Sequence, residues 1–338
     1  MHARFQLPLA VEGRRIHDRA DAGRHIAALY RGEVVLYHPP TLPSTPENDL
    51  YLAVAQVQQG SNLTSGIPRL EDAIAKHRPA RPEFHYELAR AYSATGNHEA
   101  AIRWFREALR CDAKFVPALK ELATAAMAGG NLADSAGALE RAVELSPADA
   151  NAVADLGNVY LRQDRRDAAQ AAFQRALALE PAMPRTHNMA GLAALKNGSA
   201  ELAETHLREA IRLQPDLREA HNNLGNLLAG RKAYAEAGYH FEQALASDPN
   251  YVEAHHSYGV VLALMRAYPR AVVELAETVR LAPDLMHARL DLADVLAAMG
   301  RRQESRVHLE VAARSNDAEV RQAASAALRA LEGTRQSP

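Results

Sequence analysis

Cysteine is almost missing from this chain: Cys111 stands alone among 338 residues. One thiol excludes an intrachain disulfide framework, a Cys-x-x-Cys metal knuckle and a Cys-x-x-Cys-His haem attachment. Aromatic residues are scarce at 5%, and alanine fills positions where a globular core would use larger side chains. No apolar run reaches the roughly 18 residues that a membrane-spanning helix needs. The opening MHARFQLPLAVEGRR has too short an apolar stretch for a secretory signal. As written, the chain is expected in the cytoplasm, and in the periplasm if an upstream piece belongs to it. The formal charge of -2 lacks the basic excess that phosphate-backbone binding requires, so nucleic acid is not expected as a partner. Gly-x-Gly-x-x-Gly, Walker-type, Gly-x-Ser-x-Gly and His-Glu-x-x-His patterns are all absent. The reading is therefore of a non-enzyme that needs no cofactor and no metal.

What is present is a ruler. Pro147, Pro181, Pro215, Pro249 and Pro283 stand 34 residues apart, and stepping back from Pro147 gives Ala113 and then Pro79. Other positions keep the same step. Leu156-Gly157 recurs as Ala190-Gly191, Leu224-Gly225, Tyr258-Gly259 and Leu292-Ala293, and Phe173 recurs as Leu207, Phe241 and Leu275. A fixed period of this length marks a solenoid. Counting each repeat from Pro82 and its equivalents, positions 4, 7, 8 and 11 follow the i, i+3, i+4, i+7 spacing of one helix face. Positions 20, 24, 27 and 28 form such a face on a second helix. Small residues at 8, 20 and 27 allow close helix approach. Gly96, Gly130, Gly198 and Gly300 fall at the turn between the two helices. Proline at position 32 ends the second helix.

This pattern resembles the tetratricopeptide repeat. The resemblance implies an all-α, right-handed αα-superhelix: six full 34-residue repeats and one degenerate repeat. The array covers 82–317, residues 48–81 hold a degenerate helix pair, and 318–332 form a capping helix with an apolar inner face. The tail from 333 is expected to fray. Residues 1–47 are read as an N-terminal segment with one basic helix over 13–30 and a strap in which Pro39, Pro40, Pro43 and Pro46 forbid regular helix.

One repeat cannot bury its own apolar face, so stacked neighbours should leave a concave groove. Positions 2, 5, 9, 12 and 13 share the helix face opposite the packing face. In the tetratricopeptide family that face lines the groove. Asn222, Asn223 and Asn226 crowd into EAHNNLGNLLAG, with Asn158 at position 9 and Asn188 at position 5 of earlier repeats. An amide donates and accepts at once, so it can pair with a peptide backbone without reading its side chains. The DLGN and NNLGN segments are similar to the asparagine-bearing repeats of the protein O-glycosyltransferase superhelix, although Leu192 and Val260 break the ladder. The catalytic domain of that family is absent. Arg90, Lys120, Arg162, Arg185 and Lys196 make the N-terminal half of the stripe basic, whereas Glu219, Glu253 and Asp294 make the remainder acidic. The charge asymmetry predicts a bound segment with its acidic end toward the N-terminal half. The carboxylate clamp of chaperone-binding repeats is matched at Lys120 and Arg185 but not at Thr124, Asp155 or Met189.

Histidine is the over-represented type, with 15 copies. His85, His187, His221 and His255 share position 4, and His206, His240 and His308 share position 23. Equivalent positions in successive repeats stand about twice the 8–10 Å helix spacing apart, too far to share an ion. Position 4 also lies on the packing face. Both sets are therefore read as packing residues. Trp104, also at position 23, is read as a core contact and Cys111 as a buried structural thiol. GEVVLYHPPTLPSTPENDLYLAVAQV is similar to the junction where a multihaem c-type cytochrome domain precedes a tetratricopeptide array in bacterial proteins. That likeness implies a scaffold for an electron-transfer or assembly partner, in the periplasm; with no Cys-x-x-Cys-His here, either haem sits on another chain, or the chain is a truncated or misstarted relative, or the likeness is accidental. The expected partner is a protein or extended peptide held in the groove. The alternative is the detached array of a cytochrome or glycosyltransferase system.

Overall fold

A computed structural model of the chain describes residues 45–58 and 63–333. The chain divides into two compact units, 1–52 and 53–338. The described part of the first is the opening of α1 (Pro46–Gln58). Pro46 starts this helix, contrary to its expected place in an extended strap. Proline suits the first helical position, where its missing N–H has no intrahelical partner. The Thr45 hydroxyl then accepts the Asn48 N–H at 3.2 Å. The expected basic helix over 13–30, the strap prolines 39, 40 and 43, and the tail beyond 333 lie outside the described residues.

In the second unit, α2 (Leu63–His77) is followed by seven helix pairs and a last helix. The pairs are α3 (Pro82–Ala94) with α4 (His98–Cys111), α5 (Val116–Ala128) with α6 (Leu132–Leu145), and α7 (Ala150–Arg162) with α8 (Arg166–Leu179). Next come α9 (Pro184–Lys196) with α10 (Ala200–Leu213), and α11 (Arg218–Gly230) with α12 (Tyr234–Ser247). The series closes with α13 (Val252–Leu264) and α14 (Tyr268–Leu281), α15 (Met286–Ala298) and α16 (Arg302–Ala312), then α17 (Ala318–Gly333). These are repeats 1 to 7: six repeats of 34 from residue 82 end at 285, so the array expected over 82–317 holds one helix pair more than the six full repeats. The seventh has Asp317 where a position-32 proline would stand, and it leads directly into α17. There Val320 and Ala324 are buried against Leu309 and Ala312.

Local chemistry explains the boundaries. Asn97, Asn131 and Asp149 cap α4, α6 and α7 by accepting the N–H of Ala100, Asp134 and Ala152. The turn inside each pair needs one left-handed residue. Gly96, Gly130, Gly198 and Gly300 supply it, but in the other three repeats Asp164, Lys232 and Arg266 adopt it with φ of 58°, 62° and 59°.

Packing within a pair depends on position 8 facing position 24. Phe105, Phe173, Leu207, Phe241 and Leu275 are almost wholly buried there. A Cβ at Gly225 would lie 2.7 Å from the Phe241 ring, and one at Gly259 would lie 2.6 Å from Leu275. First helices of successive repeats also pack on one another, as in α9 on α11 and α11 on α13, whereas no pair of second helices packs comparably among the described residues. The first helices therefore line the tighter, concave side of this unit.

Gly225→Ala is expected to destabilise the array at the low end of the ~1–3 kcal/mol typical of overpacking. The cost stays low because Ala89 faces Phe105 at the same position of repeat 1, so the framework can yield. Thermal unfolding followed by circular dichroism checks this, and an unchanged midpoint would refute the close-approach argument.

Candidate binding groove

The concave surface is built from positions 5, 6 and 9 of the first helices. Position 5 of one repeat reaches position 6 of the next. Asn223 on α11 donates its Nδ2–H to Oδ1 of Asn188 on α9 at 2.8 Å. His256 Nε2 on α13 lies 2.7 Å from Asp291 Oδ2 on α15. The Lys120 charge acts on Asp155, and the Glu121 charge on Tyr86, across the same step. Position 6 thus belongs to the groove, which the helical-wheel stripe left out.

That adds Glu87, Glu121 and Asp155 to the N-terminal half and corrects its expected basic character. The Asp155 side chain is exposed to water, yet surrounding protein on the concave wall raises its pKa by desolvation. Two of the expected cations are also engaged. Lys120 Nζ holds Asp149 Oδ2 at 2.8 Å, and Asp149 itself caps α7. Burial pushes the Asp149 carboxyl up, but Lys120 and the Ala152 N–H outweigh it and hold it below its usual range. Arg90 pairs with Glu87 at 3.4 Å and lies 5.8 Å over the Tyr86 ring. Arg162 and Arg185 are exposed and form no ion pair with a described residue. Lys196 sits apart from the groove floor, lining a shallow hollow with Asp164, Arg166 and Asn197 between the turns of repeats 3 and 4. In the C-terminal half Glu219 is met by Arg218 Nε at 3.1 Å.

The amides are grouped more tightly than the sequence suggested. Asn188 and Asn222 are buried, at 6% and 5% exposure. Asn188 is satisfied by Asn223, but Asn222 Oδ1 is buried without a hydrogen-bond partner among the described residues. Asn226, one turn further along α11, is exposed, and Asn158 on α7 is half-buried.

The histidines meet in pairs that equivalent-position spacing did not reveal, because each pair joins position 4 to position 23 of one repeat. His187 Nδ1 lies 3.1 Å from His206 Nδ1, and His221 Nδ1 lies 3.0 Å from His240 Nδ1. On their other edge His187, His221 and His255 reach the carbonyls of Pro181, Pro215 and Pro249 at 3.1, 3.0 and 3.0 Å. Arg289 reaches Pro283 in the same way at 3.1 Å. Donating Nε2–H to the carbonyl leaves a lone pair on Nδ1, so the neutral His221 accepts from the Nδ1–H of His240. His85 instead packs its ring 5.9 Å from that of Trp104. Among the described residues no three histidine, cysteine or acidic side chains converge as a metal site. Cys111 is exposed rather than buried, and His85 Nδ1 stands 3.9 Å from its sulfur. Desolvation, then Glu107 and Glu83, push this thiol up, the wrong direction for a nucleophile.

Paired helices of fixed period, close-packed at position 8 and stacked through their first helices, define a helical-repeat solenoid. The tetratricopeptide repeat model matches residues 50–114, 120–184, 154–217 and 188–252, more than half of the chain. The chain belongs to the tetratricopeptide repeat family. No curated relative matches it in sequence. Among solved structures, a chain of the APC/C hetero-tetramer Cut9–Hcn1 is similar at 19% identity and TM-score 0.59, covering 81% of this chain and 53% of that one. A tetratricopeptide repeat protein from Parabacteroides merdae is similar at 13% identity and TM-score 0.58, over 72% and 97% of the two chains. The pilF protein of Pseudomonas aeruginosa is similar at 18% and TM-score 0.55, over 64% and 97%. At these identities the likeness concerns the fold alone. No helix among the described residues is long and apolar enough to cross a membrane.

The histidine pairs give the array a pH dependence. Desolvation, then the His221 charge, lower His240 to about 4, and desolvation also lowers His206 and His221. Between the unfolded value of about 6.5 and this one, the unfolded chain binds more protons than the folded chain. Stability is therefore expected to fall as pH drops from 6.5 toward 4. His240→Gln keeps a donor for His221 and removes the titration. Its melting temperature should fall less than wild type between pH 7 and 5, and an identical fall would sever the link to this pair.

Proposed function

We propose that the protein is a non-catalytic scaffold that holds an extended peptide segment of a partner protein along the concave face of α7, α9, α11 and α13. The observation that carries this reading is Asn222. Its amide oxygen is buried on the groove wall without a partner, and leaving such an acceptor unmet costs roughly 1–3 kcal/mol. Once the side chain turns outward to the groove, a peptide N–H laid across α11 satisfies it. Asn226 and Asn158 offer further amides on the same face, and the exposed Arg162 and Arg185 supply positive charge beside them. Arg90, Lys120, Asn188 and Asn223 complete the proposed binding set; the position of Lys196 between the turns removes it from that set. Asn188 and Asn223 hold each other in register, Lys120 holds Asp149 at the start of α7, and Arg90 pairs with Glu87 on its own helix. Recognition through amides favours backbone over side chain, so the segment is extended rather than helical.

The test is capture from native lysate by wild type and by Asn222→Ala/Asn226→Ala, with mass spectrometry and a visible spectrum of the eluate. A partner retained by wild type and lost by the variant, with unchanged melting temperature, is the expected result. Equal capture by both would remove binding from this wall. A haem band in the eluate would favour the cytochrome-linked reading, in which the array serves an electron-transfer partner.

A further inference from the structure

The asparagine ladder ends where Val260 takes position 9, and the surface changes character there. Between α13 and α15 the concave wall opens into a cavity of about 240 Å³ floored by Val260, Leu264, Val295 and Ala298. Asp291 and Asp294 form its rim. Leu264 is 58% exposed and the adjacent Met265 47%, so large apolar side chains face water beside this hollow. The two rim acids differ. Asp291 is held by His256 at 2.7 Å, while Asp294 has no cationic partner among the described residues. Desolvation and then the Asp291 charge raise the Asp294 carboxyl above its ordinary range, and a cation delivered to it relieves both effects. Glu253 adds an exposed acid on the same face. No lysine or arginine occupies positions 2, 5, 6, 9, 12 or 13 of repeats 6 and 7.

We propose that this hollow is a specificity pocket for a basic–apolar element of the bound peptide: an apolar side chain enters between α13 and α15 while an adjacent lysine or arginine pairs with Asp294. This rests on the groove-binding reading and adds to it, because the amides of α11 hold any backbone whereas the pocket selects a side chain. Charge decides between occupants. An acidic peptide or an anionic lipid surface meets Glu253 and Asp294 with like charge, which disfavours it, and a basic segment meets them with opposite charge. Apolar contact with Leu264, Val260 and Val295 supplies the non-directional part of the attraction.

The experiment is selection of random dodecapeptides displayed on phage against the full chain, followed by fluorescence anisotropy of the most enriched peptide. The expected result is enrichment of leucine, isoleucine, methionine or phenylalanine within about three residues of lysine or arginine, an extended span of about 10 Å at 3.3–3.6 Å per residue. Asp294→Asn and Leu264→Ser, both at exposed positions, should each weaken the selected peptide about tenfold or more, with melting temperatures unchanged. Enriched peptides without the basic–apolar pair, or a selected peptide indifferent to both substitutions, would overturn the pocket while leaving groove binding intact. Selection that enriches nothing on wild type would overturn groove binding, and the pocket with it.

Discussion

Everything in the array depends on how closely two helices of a pair can approach at position 8. At Gly157, Gly191, Gly225 and Gly259 the missing side chain is occupied by the facing Phe173, Leu207, Phe241 or Leu275. This contact sets the pair spacing, and stacked pairs inherit it. Interiors packed this tightly transmit small volume changes rather than absorb them. The scarcity of aromatics follows from the same constraint. Alanine and glycine dominate the contact faces because the helices are too near one another for larger residues, and the few phenylalanines occupy the space that the glycines leave.

A second device fixes one repeat to the next. The ring at position 4 reaches back to the carbonyl of the proline that closed the preceding repeat, at Pro181, Pro215 and Pro249, and Arg289 does the same at Pro283. Proline ends a helix and leaves its carbonyl exposed to any donor. The histidine supplies that donor and passes its other nitrogen to position 23. Five of the 15 histidines, His187, His206, His221, His240 and His255, therefore serve these joints. At His221, and at the position-23 partners His206 and His240, loss of solvent favours the neutral ring, and this makes those joints sensitive to acid.

The groove results from these two constraints. First helices stack on the concave side, so positions 5, 6 and 9 form a continuous wall, and side chains one repeat apart pair across it. The wall is graded. Its N-terminal part mixes acids and bases that largely satisfy one another, its middle carries amides with one unmet oxygen, and its end carries an apolar hollow with an unpaired carboxylate. The proposed grip on the backbone in the middle and the proposed side-chain pocket at the end would together suit a segment that is extended and chemically uneven.

Period, helix faces, the glycine at position 8 and the terminating proline were legible in the sequence because each is a one-dimensional consequence of 3.6 residues per turn and of chain geometry. The helical wheel likewise puts Asn158, Asn188, Asn222 and Asn226, at positions 5 and 9, opposite the packing face, but not Asn223 at position 6. The histidine pairs were not, because positions 4 and 23 lie on different helices and only packing brings them together. The place of position 6 in the groove, the engagement of Lys120 by Asp149, the exposure of Cys111 and the hollow beside Leu264 were likewise hidden. Each depends on the offset between successive repeats, which leaves no trace in the spacing within a repeat. The sequence by itself determined that this chain is a stack of helix pairs with a polar inner face. The tertiary structure alone decided which of those polar groups satisfy one another and which remain available, because partnership is set by distance across repeats and not along the chain.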